Sequence, residues 1–290
     1  MNELETKIIQ VRDGQVFTQK RGSGPVSILT IPGGPGLSHE VFENFPANLN
    51  PEGFSVIFYD PVGSYHSDKG KNYASWDIEH YTDELNIVID ELGLDDFILY
   101  GHSMGASIVM EYALKDPSRL KALVLSNMMA DIDLYEKYIQ NLFEKFSEKV
   151  QKQFKKLIAV EAFDEPEFQQ MVLDSWYKKH ICRMDPWPES MNHALQQINT
   201  ELLLTFVGPN PFEVEGNLKH WSAFDRLDRI TIPTLVMGAE NDSMDPDHLR
   251  EMAGRLPFGT YTHCNHGGHF NMWDDTEQYF QNLIGFLKKL

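Results

Sequence analysis

The spacing of five short apolar runs along this chain constrains its fold more than any other feature. VSILTI (26–31), SVIFY (55–59), FILY (97–100), ALVLS (122–126) and TLVMG (234–238) are rich in β-branched and aromatic residues and carry no alternating polar face. Runs of this kind read as strands buried on both sides. Between the second and third, Ile78, Tyr81, Leu85, Val88, Ile89 and Leu92 recur at helical spacing, and Gly93 closes the pattern. Strands alternating with helices predict an α/β architecture around a mostly parallel sheet. Ahead of it, KIIQV, a turn at Asp13-Gly14 and QVFTQK predict a hairpin. The rhythm stops between residues 130 and 219, where Lys/Glu-rich stretches such as YEKYIQNLFEKFSEKVQKQFKKL are helical and no strand pattern occurs. This predicts a helical cap (130–219) inserted between two core segments, 1–129 and 220–290. The second core segment ends in a helix with Tyr279, Leu283, Phe286 and Leu287 on its apolar face.

Composition narrows the partners. With 43 acidic against 25 basic residues the formal charge is −18, which disfavours phosphate backbones and anionic lipid surfaces. Nucleic acid and membranes are therefore not expected as partners. Two cysteines, Cys182 and Cys264, are too few for a disulfide framework and read as free thiols. No secretory-signal pattern and no apolar run of about 18 residues is present, so a cytoplasmic location is expected. The oligomeric state is left open.

The chemistry lies in FILYGHSMGASIVMEYALK, a buried strand, a G-x-S-x-G turn and a helix running to Lys115. In such a nucleophile elbow the serine, here Ser103, stands on a sharp strand-to-helix turn. Small neighbours are needed because the backbones pass closely, and Gly101, Gly105 and Ala106 meet that need. A serine in this position also caps helices well, so the turn alone does not prove catalysis. The following helix aims its first amides at the reacting centre, making the Met104 N–H an oxyanion donor. The second donor is assigned to Gly34, in the PGGPG loop (32–36) after the first buried strand.

A serine hydroxyl needs a histidine to remove its proton and a carboxylate to orient that histidine. In hydrolases with this elbow the chain order is serine, acid, histidine. After TLVMG come Glu240, Asp242, Asp245 and Asp247. Asp245 precedes Pro246 and reads as the N-cap of a helix ending at Gly254, so Asp242 is the expected acid. The loop GTYTHCNHGGHFNMWDD offers His269 as the preferred base, His266 as the fallback and His263 at a strand end. With Cys264 these are residue types that bind zinc, but four ligands within seven residues do not match the spaced pairs of structural zinc sites. No metal is expected. No phosphate-cradling glycine pattern occurs, and no cofactor is expected either.

GGPG followed by SHEVF, then FYDPVGSYHSD, YGHSMGAS, GAENDSMDP and GHFNMWDD, together resemble the proline iminopeptidase branch of the α/β-hydrolase superfamily over almost the whole length. The branch includes the tricorn-interacting aminopeptidases and related amino acid amidases. The resemblance implies an α/β-hydrolase fold, Ser103, Asp242 and His269 as nucleophile, orienter and base, and an oxyanion hole of the Gly34 and Met104 amides. It also implies cap acids that bind the substrate's free α-amino group. In RMDPWP, Asp185 takes the place of a family glutamate; in VGPNPFEVEG, Pro211 stands where the second acid belongs, leaving Glu213 or Glu215. Pro32 replaces the family's histidine before the two glycines. Trp187 and Phe212 are expected to line the pocket. The expected function is a serine hydrolase releasing N-terminal residues, proline or other apolar ones, from small peptides or amino acid amides. The alternatives are an esterase or lactonase using the same three residues, and a non-catalytic binding protein on the same fold.

Overall fold

The computed structural model describes residues 4–290; residues 1–3, the start of the first core segment, lie outside the described residues. Eight strands form one sheet: β1 (Leu4–Val11), β2 (Gly14–Arg21), β3 (Val26–Ile31), β4 (Phe54–Asp60), β5 (Phe97–His102), β6 (Leu120–Ser126), β7 (Thr234–Ala239) and β8 (Gly259–Cys264). Their spatial order is β1-β2-β4-β3-β5-β6-β7-β8. β1 and β2 pair antiparallel with each other, as does β2 with β4, and every other pairing is parallel. The hairpin turn sits one residue earlier than expected: Val11 faces Gly14, so Arg12 and Asp13 make the turn. Gly14 instead leaves room for the Asp68 side chain, whose Cβ a methyl group there would meet at 2.7 Å.

Helices α1 (Phe45–Leu49), α2 (Ile78–Leu92) and α3 (Met104–Lys115) precede the insertion. The six residues predicted for the face of α2 pack into the core, Asp77 caps its first turn and Gly93 ends it at φ 61°. Glycine accepts that left-handed angle without strain. Between β6 and β7 lie α4 (Ile132–Glu144), α5 (Glu148–Ile158), α6 (Pro166–Val172), a wider helical coil over Leu173–Ile181, α7 (Glu189–Gln196) and α8 (Thr200–Phe206). The two ends of this helical stretch are stapled together. Ile132 donates to Trp221 O at 3.0 Å and Ala223 to Ala130 O at 2.8 Å. α9 (Pro246–Arg255), α10 (Asn271–Asp274) and α11 (Thr276–Leu287) complete the chain. Asp245 caps α9 as expected, although that helix runs one residue past Gly254. Among the described residues, no helix is long and apolar enough to cross a membrane.

The strand order is what builds a site. β3 is flanked by β4 on one side and β5 on the other, so the chain reverses direction across the sheet at β3. β3 and β5 lie side by side and parallel, so the loops leaving their C-terminal ends emerge at the same edge of the sheet. The glycine loop follows β3 and the serine follows β5, so this topology brings them together. The far end of the glycine loop is tied down by His39, whose backbone N–H and ring Nδ1 both meet the Asp60 carboxylate at the end of β4, at 2.5 and 3.0 Å.

Candidate active site

Ser103 stands between β5 and α3 at φ 54°, ψ −132°, a conformation that an L-residue adopts only when its surroundings impose it. Here the imposing contacts are glycines. A methyl group on Gly105 would lie 2.4 Å from Ile31 O and 2.6 Å from Pro32 O, and one on Gly101 would meet Gly105 O at 2.4 Å. The serine amide is fixed by a 2.9 Å bond to Ser126 O on the neighbouring strand. Gly33 abuts the side chain: a methyl group there would sit 2.6 Å from Ser103 Cβ and 3.1 Å from Oγ. Gly34 follows at φ 109° and is partly exposed, and Met104 is the first residue of α3. The structure thus brings the PGGPG loop against Ser103, with Gly33 making the closest approach.

The acid and the base come from the loops after β7 and β8. His269 Nδ1 lies 2.9 Å from Asp242 Oδ1, and both residues are buried. The carboxylate accepts, so Nδ1 carries the proton and the lone pair resides on Nε2. His269 reaches the serine's neighbourhood, because its ring centroid lies 4.8 Å from that of His102, the residue before Ser103. His102 is wholly buried, and burial drives its pKa well below the usual histidine range. It stays neutral and donates from Nε2 to the His269 carbonyl at 2.9 Å. The other histidines of the loop point elsewhere: His263 bonds Tyr261 and Glu240, His266 is exposed, and Cys264 is packed in the core.

Three further groups hold this arrangement without having been singled out from the sequence. Asn127, just past β6, donates from Nδ2 to Asp242 Oδ2 at 2.7 Å. His180 and Ile181, at the end of the wide coil, accept the His269 and Phe270 amides at 2.8 Å each. The His180 ring bonds Asn241 O at 3.0 Å, next to Asp242. Asp274 accepts from the Gly268 and Arg183 amides, and burial lifts its carboxyl to about 6. The signals for these in sequence are weak. Asparagine after a strand and histidine in a helix have many local uses, and only the side-by-side placement of β6, β7 and β8 gives them this one.

The residues expected to bind substrate are placed differently. Phe212 is buried among Phe143, Phe146, Phe154 and Trp176 in the aromatic cluster of the helical stretch. The helices between β6 and β7 bury part of their apolar surface against one another in a cluster of their own, and the large aromatics serve that end. Trp187 is half-buried against the core, its indole N–H donating to Cys182 O at 3.0 Å. Asp185, Glu213 and Glu215 are exposed. Pro211 is partly buried.

Comparison with known proteins agrees with this fold. The model of the alpha/beta hydrolase fold family matches residues 26–276. The chain is 35% identical to a proline iminopeptidase of Flavobacterium johnsoniae over 281 residues, 96% of this chain and 95% of that one. It is 34% identical to a proline iminopeptidase of Chitinophaga pinensis, covering 95% and 94%. Among solved structures, VinJ superposes with a TM-score of 0.93 at 25% identity over 99% of both chains. A proline iminopeptidase from Mycobacterium smegmatis superposes with a TM-score of 0.90 at 25% identity over 98% of both. The chain belongs to the proline iminopeptidase branch of the α/β-hydrolase superfamily and is a hydrolase of that type.

Proposed function

We propose that the protein is a serine aminopeptidase or amidase that releases an N-terminal residue, proline or another apolar one, from short peptides or amino acid amides through an acyl-enzyme. One observation carries the reading. His269 gives Nδ1 to Asp242, its Nε2 has no hydrogen-bond partner among the described residues, and its ring packs against the residue next to Ser103. Ser103 Oγ attacks the substrate carbonyl while His269 Nε2 takes its proton. The oxyanion is held by the Met104 and Gly34 amides, and His269 returns the proton to the leaving amine. Water activated by the same histidine then hydrolyses the ester on Ser103. The cap, 130–219, closes over the site and limits substrate length, and its hydrogen bonds to the His269 loop support that role. Both cysteines are free thiols, in keeping with action in the cytoplasm.

Asp185 and Glu213 are assigned to the substrate's ammonium group, closing over it when substrate binds. A second reading, an esterase or lactonase without need of a free amine, is favoured by one observation: both acids are exposed and Pro211 carries no charge. Rates on a prolyl anilide and its N-acetyl derivative separate the two. The aminopeptidase reading expects a large preference for the free amine, and equal turnover would discard it. Ser103→Ala should abolish both activities and block labelling by a fluorophosphonate; retained turnover would refute the role of Ser103.

A further inference from the structure

Asp242 is the end of a longer chain of buried groups. Asn127 Nδ2 donates to Asp242 Oδ2 at 2.7 Å, and Asn127 Oδ1 accepts from Ser126 Oγ at 2.7 Å. Ser126 Oγ lies 3.2 Å from Tyr279 OH, and Tyr279 OH lies 2.5 Å from Tyr100 OH. Tyr100, Tyr279, Ser126 and Asn127 are all wholly buried. The direction of every bond is fixed. An ionised carboxylate only accepts, so the amide presents its NH2 to Asp242 and its oxygen to Ser126. Ser126 has one proton, spent on Asn127, so Tyr279 must donate to Ser126. Tyr279 likewise has one proton, so Tyr100 must donate to Tyr279.

We propose that Tyr100, Tyr279, Ser126 and Asn127 form a one-way hydrogen-bond chain that makes Asn127 a positioning residue, locking the Asp242 carboxylate in the orientation that holds His269 Nδ1–H. The proposal rests on the reading of Ser103, Asp242 and His269 as the catalytic group. Each donor in the chain polarises the next, so the amide that reaches Asp242 is a stronger donor than an isolated asparagine. Without it one carboxylate oxygen would be buried and unpaired, and the carboxylate would be free to rotate off the imidazole. Burial raises the tyrosine pKa values above the ordinary range, which keeps both hydroxyls protonated as donors. The backbone suits the residue as well. Asn127 sits at φ 54°, a left-handed angle that asparagine tolerates better than most residues, and its amide donates to Met237 O at 2.9 Å.

The test uses Asn127→Gly, Ser126→Ala and Tyr279→Phe in the full chain. Glycine accepts the same φ, so Asn127→Gly deletes the amide without backbone strain. Each variant is assayed for kcat and KM on a prolyl anilide, for thermal stability, and for the downfield proton resonance of the His269 Nδ1–H. Asn127→Gly should lower kcat by ~10–100-fold, the usual effect of losing such a supporting hydrogen bond. KM should stay unchanged while the Nδ1–H resonance shifts or broadens. Ser126→Ala and then Tyr279→Phe should show the same pattern with smaller losses. A folded Asn127→Gly protein with wild-type kcat and an unmoved resonance would overturn the proposal. Should that variant fail to fold, the two hydroxyl deletions decide alone: a fall in kcat at constant KM supports the chain, and wild-type kcat refutes it. Ser103→Ala run in parallel separates the two levels. Turnover that survives it removes the catalytic reading, while the resonance still reports whether the chain orients Asp242 against His269.

Discussion

Glu84 offers the sharpest quantitative test of how this structure is held together. It lies on α2, buried, and accepts hydrogen bonds from the Tyr59 hydroxyl and from the Val62 amide at 3.0 Å. Val62 belongs to the loop that leaves β4. Burial pushes the Glu84 carboxyl up to about 7 from an ordinary 4.5, against the opposing pull of those two donors. The folded protein therefore binds this proton more tightly than the unfolded chain does. The resulting stabilisation is complete below about pH 4.5 and is lost as pH rises through about 7. A difference of about 2.5 pKa units at 1.36 kcal/mol each corresponds to about 3 kcal/mol. In Glu84→Gln the side-chain oxygen keeps accepting from Tyr59 and Val62, and the small cavity beside it, lined by Asp13, His80 and Asp83, offers acceptors for the new amide. Urea unfolding of both proteins from pH 4.5 to pH 8 reads the outcome as the stability of the variant minus that of the wild type. That difference should climb by about 3 kcal/mol in favour of the variant, most of it between pH 5 and 7.5. Asp274, raised in the same direction, titrates in both proteins and cancels. A difference that stays flat to within about 1 kcal/mol would show that Glu84 is not held in a desolvated site.

Other substitutions probe the elbow and its partners. Gly105→Ala drives a methyl group into the Ile31 and Pro32 carbonyls, so it should cost about 1–3 kcal/mol of stability and lower kcat about 100-fold by shifting Ser103. Thermal melts and steady-state rates check both, and an unperturbed kcat would contradict the close approach. Gly254→Ala is its counterpart: nothing lies within 4 Å of the added methyl group in α9, so chemical denaturation should show a gain of about 0.5–1 kcal/mol. Asp242→Asn should lower kcat by about a thousandfold or more at near-neutral pH, since an amide NH2 facing His269 disfavours the Nδ1–H tautomer. Circular dichroism unchanged from wild type would assign that loss to the tautomer and not to unfolding. Phe212→Ala should destabilise the protein by about 3–5 kcal/mol in urea through a cavity in this aromatic cluster; a loss below about 1 kcal/mol would argue against its burial there.

Features determined over a few residues could be read directly from the chain. The buried runs became β3 to β7, Asp245 capped α9, Gly93 ended α2, and Ser103 stood at a tight turn between a strand and a helix. Each depends on a local period or a backbone angle, and those are written in neighbouring side chains. The choice among His263, His266 and His269 was of another kind, because the three share one loop and differ only in which way each turns once β8 lies beside β7. Asn127 met Asp242 for the same reason, across 115 residues of chain. Glu84 could not be recognised as a buried acid from a helical pattern that any solvated glutamate would satisfy. That Phe212 packs with Phe154, Phe168 and Trp176 was equally beyond the reach of a short window. Local sequence specified the parts and the order in which the chemistry appears along the chain. Only the strand order, fixed by long-range packing that no short window contains, decided which of those parts touch.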